Sequence, residues 1–338
     1  MRRLLQYFLK RPLTWFANRY SAAPDKQEVF KSLSALYRSS SNKKKKRIRL
    51  IDMDPLAGKF IIFSDHHKGN RDHGDDFAKC EPNYIAALEY YNGEGFSYIN
   101  LGDSEELWKY KATAVLPMNK KALEAEAAFQ EGDRYFRSFG NHDIIWKNKM
   151  DVDMLLKPYF RLPMPVYEGF ILRTMVNGSP LHFFLTHGHQ GDKLSDNNAF
   201  STWLVAHIWT PVQRYLRLNV NTPSKDDNLL NKHNKLMYEW SSNRKNIILL
   251  TGHTHQPVFA SGKYSDHPSN EIPLPAAKPS LKPSYFNSGC CCFNDGDITG
   301  IEIAGGRIAL IKWYLDAAGT AKRKVLEEIT LHALAMDL

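Results

Sequence analysis

The sequence predicts an α/β chain in which a two-sheet β-sandwich is flanked by helices. Three observations point to it. Five short β-type runs each end in a polar cluster of Asp, Asn or His. Helix-spaced segments alternate with the first of these runs, and more β-type sequence fills the tail from Tyr285 to Tyr314. In layered α/β architectures, sites collect at the carboxyl ends of strands, where loops bring distant residues to one point.

The elements follow in order. Lys59–Ser64 (K-F-I-I-F-S) is a short buried strand that runs into Asp65-His66-His67. Phe77–Asn92 places Tyr84, Ile85, Leu88 and Tyr91 at helical spacing. Phe96–Leu101 is a second strand and leads into Gly102-Asp103. Arg134–Phe139 is a third and is followed by Gly140-Asn141-His142-Asp143. Leu181–Thr186 is a fourth, ending at His187-Gly188-His189. Asn246–Leu250 is a fifth, ending at Thr251-Gly252-His253-Thr254-His255.

Between the fourth and fifth clusters lies an insertion at about 194–245. Phe200, Trp203, Leu204, Ile208, Val212, Tyr215 and Leu216 follow helical spacing, with a kink expected at Pro211. A second helix is marked by Leu229, Leu230, His233, Leu236, Met237 and Trp240. Such helices either cover the core or form a helical cap over the site that shapes substrate choice.

Composition narrows the function classes. The 338 residues are 43% hydrophobic and 24% charged, ordinary for a globular chain. No apolar run reaches the ~18–20 residues of a membrane span. The net charge of +9 is uneven: residues 1–50 hold fourteen Lys/Arg and two acids, net +12, which leaves −3 for the remainder. A nucleic-acid enzyme is expected to have a basic body, because phosphate contacts dominate its affinity. Nucleic acid is therefore not the favoured partner.

The division expected is a basic N-terminal extension and linker at 1–49, then one domain at 50–338 carrying the insertion. The first residues hold Leu4, Leu5, Tyr7, Phe8, Leu9, Trp15 and Phe16 among basic groups. They fit a packed extra helix or loose end, an organellar transit segment, or a peripheral membrane contact on anionic lipid. The run Lys43-Lys44-Lys45-Lys46-Arg47 would be solvated or would strengthen that contact. Cys80 and the run Cys290-Cys291-Cys292 show no C-x-x-C spacing. They read as reduced thiols, in keeping with a cytoplasmic location.

Any one cluster alone is weak, because D-x-H occurs by chance. Five in order, each after a β-type run, are hard to obtain accidentally. The set resembles the calcineurin-like metallophosphoesterase family over roughly residues 58–260, whose pattern is D-x-H, G-D-x-x-[DE], G-N-H-[DE], a lone His, then G-H-x-H. The matching residues are Asp65/His67, Gly102-Asp103-Ser104-Glu105-Glu106, Gly140 to Asp143, His187 and His253/His255. The resemblance implies two divalent cations that clamp a phosphate ester or pyrophosphate and lower the pKa of a bridging water.

It implies Asp103 as the bridging carboxylate. Asp65, His67 and His255 would complete one metal's shell, and Asn141, His187 and His253 the other's. His142 is the implied catalytic histidine on the leaving-group side, with Asp143 beside it in the catalytic cluster; Asp143 and Glu106 also look like groups that orient the ligating residues. Manganese, iron or zinc suits such mixed donors, with manganese favoured. His66, His189 and Asp192 are candidate substrate contacts.

The family leaves the substrate open. Its protein phosphatases carry Asp-Arg-Gly after the second cluster, where this chain reads Glu106-Leu107-Trp108. A lipid-linked pyrophosphate, the UDP-diacylglucosamine type, fits the apolar insertion and basic N-terminus, but that branch reads G-N-R-D where this chain has His142. A non-catalytic metal-bound interaction scaffold is the reading from a different class, and intact clusters weigh against it.

Overall fold

The computed structural model describes residues 25–41, 47–191, 227–260 and 282–338. Among them the strands are β1 (Ile48–Asp52), β2 (Phe60–Phe63), β3 (Ser97–Leu101), β4 (Tyr135–Ser138), β5 (Val166–Tyr167) and β6 (Gly169–Val176). They continue with β7 (Ser179–Thr186), β8 (Ile247–Thr251), β9 (Tyr285–Asn287), β10 (Ile298–Ala304), β11 (Arg307–Leu315) and β12 (Ala321–Thr330). The main helices are α1 (Lys26–Ser39), α2 (Glu81–Gly93), α3 (Ala112–Met118), α4 (Lys120–Ala127), α5 (Asp227–Ser242) and α6 (Leu331–Met336).

All five runs that end in polar clusters are strands: β2, β3, β4, β7 and β8. They fall into two sheets, ordered β1-β6-β7-β8-β9 and β12-β11-β10-β2-β3-β4-β5. Strands β2 to β5 pair in parallel, and so do β7, β8 and β9. Parallel pairing puts carboxyl ends at one edge, so the clusters gather there. Four strands escape the sequence pattern: β1, hidden in the basic stretch, the two-residue β5, β6, which ends in no polar cluster, and β12, past the predicted tail.

The sandwich explains the continuous apolar runs, since both faces of each sheet are covered. Ile62, Ile99, Leu101 and Phe136 face inward from one sheet; Phe170, Leu172, Phe183, Leu185, Ile248 and Leu250 meet them from the other. The alternate residues Ile61, Phe63, Tyr98 and Tyr135 pack with residues of α2, α3 and α4. Ile171, Phe184 and Leu249 pack with residues of α1 and α5. Burying each such aliphatic or Phe side chain contributes about 1.5–3 kcal/mol.

The division at residue 49 is corrected. It falls inside β1, which pairs with β6. Helix α1, capped by Asp25 accepting from the Gln27 and Glu28 N–H groups at 2.9 and 3.1 Å, buries Val29, Leu33 and Leu36 in the outer layer. Residues 25–41 are thus part of the domain. The first 24 residues and the lysine run at 43–46 lie outside the described residues. Among the described residues, no helix is long and apolar enough to cross a membrane.

The second insertion helix is present as α5. Its Leu236, Met237 and Trp240 are buried against the outer face of the five-stranded sheet. This part of the insertion backs the site; the first insertion helix, Phe200 to Leu216, lies outside the described residues.

Candidate metal centre

The strand-end loops hold their polar residues in unusual backbone shapes. Asp65, His67, Asp103, His253 and His255 all have φ between +50° and +69°. Non-glycine residues adopt such values only where the surroundings impose them, at about 1–3 kcal/mol each. The imposing contacts are loop-to-loop hydrogen bonds: Asp65 N to Gly102 O at 3.1 Å, His67 N to Asp103 O at 3.0 Å, and Gly252 N to His187 O at 3.0 Å. The cluster glycines are required by space. A Cβ at Gly140 would lie 2.2 Å from Asp103 Oδ1, and one at Gly252 would lie 2.3 Å from Asp65 Oδ2.

The predicted ligand residues converge. His67 Nε2 lies 3.1 Å from His255 Nε2, and His255 Nε2 lies 3.3 Å from Asp65 Oδ1. Asp103 Oδ2 is 3.1 Å from His187 Nε2 and 3.7 Å from His67 Nε2, so it stands between the two groups. Asn141 Oδ1 is 3.2 Å from His187 Nε2. Candidate donor atoms of Asp65, His67 and His255 fall within 4.8 Å of one another, and so do those of Asp103, His187 and His253. The motif pattern draws its two implied shells from these residues.

The donor atoms fit cations. Asp65 Oδ1 is buried and has no hydrogen-bond partner. A bare buried carboxylate oxygen is costly unless something positive faces it. His187 points the same way: its Nδ1–H donates to Leu101 O at 3.1 Å, which turns Nε2 toward Asp103 Oδ2 and Asn141 Oδ1, where it carries a proton that a cation would replace. A ligating histidine is held in this way. Mixed carboxylate, imidazole and amide donors suit manganese, iron or zinc.

Protonation tells the same story. Burial alone would lower the histidine pKa values and raise those of the acids. The mutual field overrides it: Asp65 and Asp103 sit well below the carboxylate range. His187 rises to about 9, drawn up by Asp103 and then Asp65, and His255 to about 10, drawn up first by Cys292 and then by Asp65. His253, buried beside His187 and His233, is held well below its ordinary value.

His142 stands at the accessible side, about one-fifth exposed. Its backbone N–H donates to Asp103 Oδ1 at 2.7 Å. Its Nδ1–H donates to Glu106 Oε1 at 2.8 Å, and Trp108 stacks on the ring at 4.0 Å. Trp108 Nε1–H also donates to Asn141 O at 2.8 Å. Asp143 differs from His142 in its surroundings. It is fully buried, accepting from Gly140 N–H at 2.7 Å and Ser104 N–H at 2.8 Å. It ties the second and third loops together.

The substrate-contact expectations also change. His66 points into the core, 3.2 Å from the Tyr98 hydroxyl and edge-on to Tyr84. His189 lies beside His187 and is buried, its pKa pushed down to about 3 by burial first and His187 second. Asp192 lies outside the described residues.

Sequence reasoning missed the support beneath the loops. Lys68 is fully buried and donates to Ser104 Oγ at 2.7 Å and Glu126 Oε1 at 2.5 Å. Arg137 pairs with Glu105, whose Oε2 also accepts from Trp146 Nε1–H at 2.8 Å. His233 Nε2 lies 2.9 Å from Gly188 O, and Asn234 Oδ1 accepts from Thr254 Oγ1 at 3.1 Å. Cys292 looks like an inert thiol in the sequence, yet its Sγ is 3.5 Å from His255 Nδ1. The signal was available: the cysteine run follows Asn287-Ser288-Gly289, a sixth strand end at the same edge.

No protein-family profile matches the chain, and no curated protein matches it. Solved structures that resemble it include Vacuolar Protein Sorting 29 from Cryptosporidium parvum, at 12% identity and TM-score 0.35, covering 81% of this chain and 99% of that one. Another is a putative 5'-nucleotidase from Staphylococcus aureus, at 13% identity and TM-score 0.31, covering 80% and 54%. A third is the NAD nucleotidase of Haemophilus influenzae, at 12% identity and TM-score 0.30, covering 79% and 55%. Likeness this distant says nothing of activity, which rests on the site itself.

Proposed function

We propose that the chain is a calcineurin-like metallophosphoesterase that hydrolyses a phosphate ester or pyrophosphate with two divalent cations. One observation carries this reading. Seven donor residues from five separate segments, at the ends of strands from both sheets, lie close together, with the buried Asp65 Oδ1 lacking a hydrogen-bond partner. Asp65, His67 and His255 would hold one cation, and Asn141, His187 and His253 the other, with Asp103 between them. When bound, the cations supply Lewis-acid charge and a water of lowered pKa.

The chain's own groups do the rest. Glu106 holds His142 through Nδ1–H, and when the ring carries its second proton Nε2–H can give it to, or hydrogen bond with, the leaving oxygen. Trp108 holds the ring plane, and Asp143 holds the loop that carries Asn141 and His142. The Glu106–His142 pair and the bare Asp65 oxygen favour an enzyme over a non-catalytic scaffold. The UDP-diacylglucosamine-type lipid substrate is a subordinate reading. It rests on the apolar insertion and the basic N-terminus, and His142 counts against it.

The test is a screen of the chelator-stripped, manganese-reloaded chain on p-nitrophenyl phosphate, its bis-ester and nucleoside-diphosphate lipids. Iron and zinc loadings run beside it. Turnover on at least one class, lost in Asp103→Ala, is expected. A fully loaded protein that turns over none of them sinks the proposal.

A further inference from the structure

Behind the proposed hydrolytic centre lies a second set of metal-binding atoms. Cys290 and Cys292 follow β9, with their sulfurs within 4.8 Å of each other. Cys292 Sγ lies 3.5 Å from His255 Nδ1, the ring nitrogen that faces away from Asp65. Donor atoms of His255, Cys290 and Cys292 fall within 4.8 Å of one another. The backbone around them is pinned: Cys291 N–H donates to Asp65 O at 3.2 Å, and Thr299 N–H to Cys290 O at 3.0 Å. All the cysteines are free thiols.

The spacing decides what the cluster suits. Around a tetrahedral cation with bonds of about 2.3 Å to sulfur and 2.0 Å to nitrogen, adjacent S and N atoms stand roughly 3.5 Å apart. That is the Cys292–His255 separation. Two sulfurs and one imidazole form a soft set that selects zinc-like or copper(I)-like ions over manganese or magnesium. The hydrolytic shell on the other face of His255 has no sulfur and is the harder set. Cys290 is buried and Cys292 partly exposed, so entry is past Cys292.

We propose that Cys290, Cys292 and His255 Nδ1 form a separate site for a thiophilic d10 cation, next to the hydrolytic centre and sharing His255 with it. Binding is an exchange of protons for the cation. Each thiol releases its S–H proton to solvent and His255 its Nδ1 proton, and a cation held at Nε2 as well would displace the second ring proton and leave an imidazolate; nothing is oxidised or reduced. The shared ring couples the two sites, because a cation on Nδ1 sets the ring that presents Nε2 to Asp65. Binding at the thiols does not depend on hydrolysis.

The test uses the full chain, reduced, stripped with chelator and titrated with cadmium. A sulfur-to-cadmium charge-transfer band should grow to one equivalent. It should persist in Cys291→Ser and Asp103→Ala and be lost in Cys290→Ser and Cys292→Ser. X-ray absorption at the cadmium edge of the unmutated chain provides a reading that needs no variant: two sulfurs and at least one nitrogen are expected. A shell of oxygen and nitrogen alone would overturn the proposal. A band surviving in the Cys290→Ser/Cys292→Ser double variant would do the same, and one lost in Asp103→Ala would show that the site is not separate.

Discussion

Two charged regions share the same loops and treat their carboxylates in opposite ways. In the upper region, Asp65 and Asp103 are faced by histidines. Among the described residues, no lysine or arginine pairs with either one. In the lower region, Glu105 and Glu126 face Lys68 and Arg137, two acids against two bases, with Tyr84 and Tyr135 hydroxyls donating to Glu126 at 3.0 and 2.5 Å. The two regions interleave along the same loops: His67 is up and Lys68 down, Asp103 up and Glu105 down. A buried carboxylate supplied with a permanent cation supports the fold. One supplied only with neutral-capable rings has a place for an ion.

That contrast can be broken experimentally, starting with the largest effect. Asp103→Ala removes the oxygen between the two donor groups. The expected fall in kcat/KM on the best substrate of the screen is about a thousandfold, equal to roughly 4 kcal/mol, with the thermal transition of the metal-free protein little changed. Glu126→Gln should do the reverse. It leaves Lys68 and Arg137 short of a buried partner, and urea unfolding should show a loss of about 3 kcal/mol or more. If Glu126→Gln leaves stability intact, the lower region does not support the fold.

Smaller effects sharpen the line between holding metal and using it. His142→Ala should lower kcat about a hundredfold while metal content, read by elemental analysis, stays at the unmutated level. Glu106→Gln, acting through His142, should cost about tenfold. Loss of metal in His142→Ala would move that residue into the ligand set.

Acid stability gives the mildest test. Burial alone would raise the pKa of Glu126, but Lys68 and then Arg137 override it and bring the group from 4.5 down to about 2. The folded pKa lies below the unfolded one, so the unfolded chain takes up this proton first. The stability it contributes is complete above pH 4.5 and is lost as pH falls toward 2. Denaturation measured across that range should show this component in the unmutated chain and not in Glu126→Gln.

The upper region was legible from the sequence because its chemistry demands particular residue types. Asp, Asn and His after apolar runs, with glycines between them, suit a cation site and little else. The lower region was not legible. Lys68, Glu105, Glu126 and Arg137 carry no spacing rule, and each is an ordinary charged residue until the fold buries it. Asp143 and His66 sit within the motif clusters, yet both face away from the site. Residues one or two apart on a sharply turned loop point in opposite directions, and the linear pattern does not record which.

The sequence by itself determined the five strands that lead into the clusters, the order of those clusters, and the types of donor atom they offer. Those follow from local patterning: apolar runs make strands, and strand ends in a parallel sheet share an edge. Only the tertiary structure decided which atoms in each cluster face a cation and which face the protein. It also brought Cys292 behind His255, across thirty-six intervening residues. Contacts between loops set those outcomes, through backbone hydrogen bonds and glycine-sized gaps that no single segment contains.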